Sequence, residues 1–143
     1  LRPREYKRGS VMPMIAGKSG KANAADKTSY QKGVLAEAKA IAQLKINGYS
    51  ILKVRFKTKY GEIDIIAQKG DVVAFIEVKA HKTFNGSIAA VTAKTRRRIE
   101  NSALFFLSEY PQYNNYTLRF DVMAFQDGSI WARHMDNAWM LGA

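Results

Sequence analysis

Two apolar segments joined by a short turn, across residues 61–79, constrain this chain more than any other stretch. Their lengths and β-branched content are typical of strands, and Lys69-Gly70-Asp71 between them has the composition of a hairpin turn. Asp64 lies in the first segment, and Glu77 and Lys79 lie in the second. Acidic groups inside apolar strands are costly to desolvate unless they are paired or bind a cation. The hairpin therefore predicts a sheet and indicates where to look for its chemistry.

The register of this hairpin decides whether the two carboxylates meet. Side chains two apart share a strand face, so Glu77 and Lys79 should lie on one side, roughly 6–7 Å apart along the strand. Pairing residues 66–68 with 74–72 places Asp64 opposite Ile76. A one-residue bulge beside the turn would instead bring Asp64 level with Glu77 and onto its face. The sequence leaves both registers open.

If the carboxylates converge, the residue types favour a metal site. Two carboxylates a few ångströms apart cannot both stay ionised cheaply unless a divalent cation neutralises them. Oxygen ligands select Mg²⁺ or Mn²⁺ over a soft metal. A neighbouring Lys79 would orient or activate a water and stabilise charge on a transferring phosphoryl group. The alternative is an ordinary hairpin with an Asp and a Glu–Lys pair on its open face.

The charge balance points to an anionic partner. The 143 residues hold 23 Lys and Arg against 12 Asp and Glu, a net charge of +11. A basic balance of this size is typical of proteins that bind nucleic acid or an anionic membrane. No apolar run approaches the ~18 residues that span a bilayer, so we expect no membrane partner. The absence of cysteine excludes disulfides and thiolate metal sites, and it agrees with a cytoplasmic location.

Hydrophobic periodicity predicts a single α/β domain over residues 30–143. Residues 1–29 are basic and rich in small residues, which favours a flexible arm, either a nucleic-acid-contacting tail or a leader segment. The domain should follow the order αβββαββ, a mixed central sheet with an antiparallel hairpin core between helices. The first helix should bury a stripe of Val34, Ala38, Ile41 and Leu44. The predicted elements are a helix from residue 29 or 30 to 47, strands at 49–56 and in the hairpin, a connection at 80–88, a helix at 89–110, and strands at 117–125 and 129–134.

Several charged residues outside the hairpin are candidates for function. Glu37 falls inside the apolar stripe of the first helix, within about 60° of Ile41 and Leu44, and there it either extends to solvent or acts in a site. The second helix and the loop before the hairpin carry basic residues that form either a solvated face or a ridge contacting phosphates. These candidates are Lys94, Arg96, Arg97, Arg98, Lys57 and Lys59.

The ordered motifs of this chain carry a resemblance. They are Gly33-x-x-Ala36-Glu37, Asn47-Gly48-Tyr49, Gly61-Glu62-Ile63-Asp64-Ile65-Ile66-Ala67, Phe75-Ile76-Glu77-Val78-Lys79-Ala80, Ala90-Val91-x-x-Lys94 and Arg119-Phe120-Asp121-Val122. Together they strongly resemble the YraN-like family (UPF0102), predicted endonucleases related to archaeal Holliday-junction resolvases. That family lies within the PD-(D/E)XK nucleases, and the similarity covers residues 30–140.

The resemblance implies a restriction-endonuclease-like fold and assigns roles to the hairpin residues. Asp64 and Glu77 match metal ligands, with the Val78 backbone carbonyl as a third, and Lys79 matches the catalytic lysine. Glu37 matches the helix-borne acid that completes the metal site in the resolvase-like branch. Lys94 matches a family lysine of open role. Glu62, on the face of the strand that carries Asp64, would act behind the metal ligands.

Two departures from the family pattern bear on the substrate contacts. The family usually has Gly where Ala36 stands, and commonly has Arg where this chain has His81. Neither removes an acidic ligand or Lys79.

The sequence thus predicts a Mg²⁺- or Mn²⁺-dependent endonuclease that hydrolyses phosphodiesters in nucleic acid. DNA is favoured over RNA, and structured or branched DNA is the favoured substrate. The alternative is a non-catalytic nucleic-acid-binding module on a nuclease fold. Resolvase-like relatives pair to cut two strands, so the analogy suggests a homodimer.

Overall fold

A computed structural model of the protein describes the backbone of residues 24–142 and the side chains of residues 29–142. The elements, in chain order, are α1 (Ala24–Ile46), β1 (Ser50–Thr58), β2 (Gly61–Lys69), β3 (Val72–His81), α2 (Phe84–Ala89), α3 (Ala93–Glu109), a 3₁₀ turn (Pro111–Tyr113), β4 (Thr117–Gln126) and β5 (Arg133–Trp139). None of the helices in this described part has the length and apolarity to span a bilayer.

The five strands form one mixed sheet in the order β1-β2-β3-β4-β5. Neighbouring strands are antiparallel except β3 and β4, which run parallel. A parallel pair needs a crossover connection, and α2 and α3 supply it. The predicted fold class, a mixed α/β sheet with an antiparallel hairpin flanked by helices, is therefore confirmed.

The sheet has an apolar core on each face. Apolar side chains of α3, centred on Phe106, pack over Ile66, Phe75 and Phe120 on one face. On the other face, α1 packs over Ile65, Ala74, Ile76 and Met123. Because both faces are covered, the central strands are apolar almost throughout, and polar side chains can be accommodated where the strands end or diverge.

The buried stripe of α1 differs from the predicted one. Val34 and Ala38 are exposed, whereas Ala36, Ala40 and Leu44 are buried against the sheet. Small alanines at the contact let the helix approach the strands closely, which periodicity alone does not reveal. The helix is also present from Ala24, earlier than the predicted start at residue 29 or 30, because residues 24–29 contain no Gly or Pro to end it. The rest of the predicted arm, residues 1–23, lies outside the described residues.

The hairpin adopts the register that brings the two carboxylates level. Lys69 pairs with Val72, so Gly70 and Asp71 form a two-residue turn, with Gly70 at φ +59°. A glycine with positive φ at the first central position is typical of a type II′ turn. Ile65 and Ile76 form the last regular pair, and the same register continued by one residue sets Asp64 level with Glu77. The predicted pairing of residues 66–68 with 74–72 implies a three-residue turn at 69–71. The observed turn has two residues, so the predicted pairing is wrong by one residue.

The predicted helix over residues 89–110 is wrong at its start. A short helix, α2, lies within the predicted connection, and α3 begins at Ala93. The Thr92 side chain caps α3 by accepting a hydrogen bond from the Thr95 N–H at 3.3 Å. Thr83 caps α2 in the same way, through the Gly86 N–H at 3.0 Å.

The last strand also differs, because it runs over Arg133–Trp139 and not over residues 129–134. The Gln43 amide donates to the Ala132 carbonyl at 2.9 Å and accepts from the Ala132 N–H at 2.7 Å. This amide satisfies the backbone groups that strand pairing would otherwise use, so the segment before Arg133 docks on α1. Trp139 packs back on the sheet, stacked on Phe120 with 5.2 Å between ring centroids.

Candidate functional site

The β2 strand is irregular at Asp64. Ile63 belongs to the core under α3, yet Ile65 belongs to the core under α1, although residues two apart in a regular strand share a face. Regular pairing between β2 and β3 ends at Ile65 and Ile76. Such irregularities re-aim a side chain and end strand pairing. Here the irregularity directs the Asp64 carboxylate into the gap between two diverging strands.

The Asp64 carboxylate accepts a backbone hydrogen bond that a carbonyl of the neighbouring strand would accept in a regular sheet. Its Oδ2 accepts the Val78 N–H at 2.8 Å. Because the N–H and C=O of one strand residue point to the same neighbouring strand, the Val78 carbonyl is directed to the same gap. Asp64 is therefore held by the backbone of β3, between the two strands that the sequence assigns to the site.

Asp64 and Glu77 are electrostatically coupled. Burial raises the pKa of Asp64 well above its ordinary value, and the negative charge of Glu77 raises it further, while the Val78 N–H opposes both. The charge of Glu37 also raises it. Burial and the neighbouring negative charges thus favour the protonated form of Asp64 over the ionised form. Lys79 lies beside this pair, with its Nζ 3.2 Å from Oε1 of Glu77.

Glu37 forms an ion pair with Arg55, whereas Glu77 lies beside Lys79. The Arg55 Nε donates to both carboxylate oxygens of Glu37, at 3.0 and 3.2 Å. Burial raises the pKa of Glu37, and the ion pair with Arg55 opposes that rise. Across the side chains that the structure describes, no three Asp, Glu or His residues are arranged to hold a metal ion.

A cleft of about 780 Å³ brings the hairpin and the first turns of α1 together. Asp64, Glu77, Lys79 and Glu37 all line it, and so does Val78. Carboxylate and carbonyl oxygens are the donors that hard divalent cations take, so the close pair Asp64 and Glu77, with the Val78 carbonyl, are the residues here that fit such an ion. The remaining lining comes from α1 and from the segment after β3 and includes Lys32, Gly33, His81, Lys82 and Thr83.

Glu62 lies outside the lining of this cleft and is exposed. Its charge nevertheless raises the pKa of Glu37, which places it near the α1 side of the site. The role predicted for Glu62 behind the carboxylates stays a prediction, and among the described site residues its charge affects the pKa of Glu37.

The basic residues of α3 separate into two groups. Lys94, Arg97 and Arg98 are exposed and lie three and four residues apart, so they share one helix face. Arg96 points the other way: its guanidinium lies 5.6 Å from the Trp139 ring centroid, and its Nε is buried with no hydrogen-bond partner. Arg96 therefore packs on the sheet domain, apart from the exposed basic face.

The exposed basic face continues onto the turn between β1 and β2. The Arg98 side chain packs on Gly61, where an added Cβ would meet it at 3.4 Å. Thr58 ties the turn to α3 through a 2.9 Å hydrogen bond to Ser102. Lys57 and Lys59 are exposed on this turn. The contact between Arg98 and Gly61 thus brings the basic face of α3 next to this turn. α3 covers the sheet face opposite to α1, and the cleft that holds Asp64 is lined from the α1 side, with no lining residue from this basic face.

His134 has an acidic partner that the sequence did not reveal. Its Nε2 lies 2.8 Å from Oδ2 of Asp121, a buried carboxylate that also accepts two hydrogen bonds from Arg119 at 2.8 Å. The Asn137 N–H donates to the same carboxylate at 3.0 Å. Burial by itself raises the pKa of Asp121, but these partners hold it below its ordinary value. Asp121 is thus shared by a cation of its own strand, Arg119, and by His134, which lies 13 residues away in sequence on β5.

Arg55 is the site residue that sequence reasoning missed. It lies opposite Asp64 in the register of β1 and β2 and has φ +52°, unusual for a residue with a side chain. A cation inside the apolar run of residues 51–56 was the available signal. Its partner is 18 residues earlier on α1, and only the packing of the helix on the sheet brings the two together.

Comparison with known sequences places the chain in a family. The profile of the Uncharacterised protein family UPF0102 matches residues 36–125. A UPF0102 protein of Chelativorans is 41% identical over 111 residues, covering 78% of this chain and 89% of its own length. Another, from Sinorhizobium medicae, is 38% identical over 109 residues, covering 76% and 88%. With the matched profile spanning the helix-borne Glu37, the hairpin and β4, this chain belongs to the UPF0102 family.

Proposed function

We propose that this protein is a divalent-metal-dependent endonuclease that hydrolyses phosphodiester bonds in nucleic acid. The observation that carries the proposal is the coupled pair of carboxylates, Asp64 and Glu77, beside Lys79 in an open cleft. A fold that only had to be stable would gain nothing from a carboxyl whose pKa is raised by burial and by a second carboxylate beside it. The net charge of +11 supports a polyanionic substrate.

Asp64, Glu77 and the Val78 carbonyl would hold the metal, and Glu37 stands nearby as a further candidate ligand. Bound there, Mg²⁺ or Mn²⁺ would polarise the scissile phosphate and lower the pKa of a water. In the protein's own contribution, Lys79 positions the attacking water and stabilises the negative charge that develops on the phosphoryl oxygens. As the water oxygen bonds to phosphorus, the bond from phosphorus to the leaving deoxyribose oxygen breaks, and that oxygen takes up the proton that the water gives up.

The exposed basic residues of α3 and the β1–β2 turn hold backbone phosphates in this proposal. Such contacts carry no sequence information, so binding should weaken with salt and show little base preference. DNA with branches or flaps is the proposed substrate, by the analogy with resolvase-like enzymes. A homodimer would present two such sites, one for each strand, and a cytoplasmic location fits the chemistry.

The test is cleavage of branched, flapped and linear DNA, with and without Mg²⁺ or Mn²⁺. Wild-type protein should cut only with the ion, and Asp64→Asn and Lys79→Ala should each lower the rate by at least ~100-fold. Asp136→Asn, which changes an exposed acid on β5 outside the cleft, is the matched control and should cut like the wild type. Cleavage that persists in Asp64→Asn would refute the proposal.

A second candidate is a nucleic-acid-binding module without catalysis. The observation in its favour is that Glu37 is bound to Arg55 and Lys79 to Glu77, with no three-residue metal cluster among the described side chains. This candidate predicts DNA binding of ordinary affinity and no heat of Mn²⁺ binding in calorimetry. Binding of Mn²⁺ that disappears in Asp64→Asn decides for the endonuclease.

A further inference from the structure

Three carboxylates line the cleft, and one of them, Glu37, forms an ion pair with Arg55. One donor group, the Arg55 Nε, faces both oxygens of Glu37 at 3.0 and 3.2 Å. Both side chains are largely withdrawn from solvent, at 19% exposure for Arg55 and 15% for Glu37. A charged hydrogen bond in such surroundings is stronger than one on the surface.

The backbone of β1 is bent to make this contact. Arg55 adopts φ +52°, a left-handed conformation that costs a non-glycine residue free energy and persists only where its surroundings hold it. The guanidinium of Arg55 stays protonated at any physiological pH, so the ion pair does not open by titration. The charge of Glu37 is thus paired with a permanent cation, although Glu37 lines the same cleft as Asp64 and Glu77.

We propose that Arg55 is a positioning residue that withholds Glu37 from the metal-binding pair. In the free protein, Asp64 and Glu77 act alone, and Glu37 joins them only when its ion pair with Arg55 opens. This inference rests on the proposed metal site and adds to it a residue that limits metal affinity. It accounts for the absence of a three-ligand cluster among the described side chains, even though three carboxylates line one cleft.

Titration calorimetry with Mn²⁺, in the absence of nucleic acid, tests this arrangement with four proteins: wild type, Glu37→Gln, Arg55→Gln and the double variant. Glu37→Gln should change the Mn²⁺ affinity by less than ~2-fold, because Glu37 is already occupied. Arg55→Gln frees Glu37 and should tighten binding about tenfold, within the range of coupling between contacting groups. The double variant should return to the wild-type value, because the gain passes through Glu37.

The same experiment contains the results that would overturn the inference. Glu37→Gln that weakens Mn²⁺ binding tenfold in the wild-type background would show that Glu37 is a ligand despite Arg55. Equal tightening in Arg55→Gln and the double variant would show a general charge effect. An Arg55 with a merely structural role would lower the melting temperature of Arg55→Gln without tightening Mn²⁺ binding.

A further variant separates folding from metal binding. Should Arg55→Gln fail to fold, Arg55→Lys keeps the charge but lacks the guanidinium donor, and a smaller tightening that Glu37→Gln cancels is expected. Asp64→Asn is the control for the site itself and should abolish Mn²⁺ binding. If Asp64→Asn binds Mn²⁺ normally, the proposed function fails; if it loses binding while Arg55→Gln shows no tightening, only the role of Arg55 fails.

Discussion

At the scale of single residues, two buried carboxylates show opposite behaviour. Asp121 is surrounded by Arg119, His134 and a backbone N–H, and its pKa is lowered. Asp64 is buried beside the like charges of Glu77 and Glu37, and its pKa is raised. An acid with a lowered pKa stabilises the fold when ionised, whereas one with a raised pKa costs stability when ionised. The first is typical of a structural group and the second of a functional one.

Asp64→Asn should therefore stabilise the metal-free protein at neutral pH. Between the unfolded-state pKa of about 3.9 and the raised folded-state pKa, the native carboxyl holds a proton that the unfolded chain releases, so wild-type stability falls as pH rises through that window. The neutral amide escapes this loss. Thermal melts in EDTA should show the variant several degrees above wild type at pH 8, at ~4 °C per kcal/mol, and equal to it near pH 3. A lower melting temperature for Asp64→Asn at pH 8 would contradict the raised pKa.

Asp121→Asn should destabilise the protein, because the pKa of Asp121 is lowered in the fold whereas that of Asp64 is raised. Breaking a buried ion pair by removing one partner costs about 3–5 kcal/mol, because Arg119 is left with an uncompensated charge. The contribution of Asp121 is present above its unfolded-state pKa and is lost as pH falls through the lowered folded-state pKa. Urea unfolding at pH 7 should show the full difference, with the gap narrowing only in strong acid. Unchanged stability of Asp121→Asn at pH 7 would show that the ionised Asp121 does not stabilise the fold.

At the scale of elements, polar side chains set boundaries that strand and helix patterns leave open. Thr92 fixes the start of α3 inside the predicted long helix, and Gln43 replaces strand pairing before β5. Both side chains act through hydrogen bonds to backbone groups outside any regular ladder. The positions of α3 and β5, and so of the basic face and of His134, follow from these side chains.

Gln43→Leu tests the element-scale role of the Gln43 amide. The substitution keeps the approximate volume but leaves the buried N–H and C=O of Ala132 without their partner. An unsatisfied buried backbone group costs about 1–3 kcal/mol, so with two such groups the variant should lose about 2–6 kcal/mol of unfolding free energy. Hydrogen exchange should localise the loosening to residues 129–139. Thr92→Ala, which removes only a helix cap, is the comparison and should cost about 1 kcal/mol.

At the scale of the whole molecule, the exposed basic face and the carboxylate cleft are separate surfaces. The basic face belongs to α3 and the β1–β2 turn, whereas the cleft is lined by α1, Asp64, β3 and the segment after β3. Arg96 belongs to the same run of sequence as Arg97 and Arg98 but points to the Trp139 side. A run of charge in sequence is therefore not one surface in the molecule.

Substitutions on α3 should distinguish Arg97, on the exposed basic face, from Arg96, which packs on Trp139. Arg97→Glu should lower DNA affinity and reduce the slope of log affinity against log salt by about 0.9 for each phosphate that the variant no longer neutralises. Arg96→Gln should leave that slope unchanged and lower the melting temperature, because glutamine cannot replace the guanidinium on the Trp139 ring. Fluorescence anisotropy across a salt series, with thermal melts, measures both. Equal salt slopes for Arg97→Glu and wild type would exclude Arg97 from phosphate binding.

The sequence by itself determined the sheet with its apolar hairpin, the class of fold, the family motifs and the identity of the acidic residues. Those features rest on local periodicity and on residue types at fixed spacing, which a chain carries before it folds. Only the tertiary structure decided that Asp64 lies level with Glu77, because that depends on one residue of turn length. It alone decided that Glu37 meets Arg55 and that Asp121 meets His134. Contacts of this kind are set by how α1 and β5 pack on the sheet, and packing depends on the shape of small side chains such as Ala36 and Ala40, which no local pattern records.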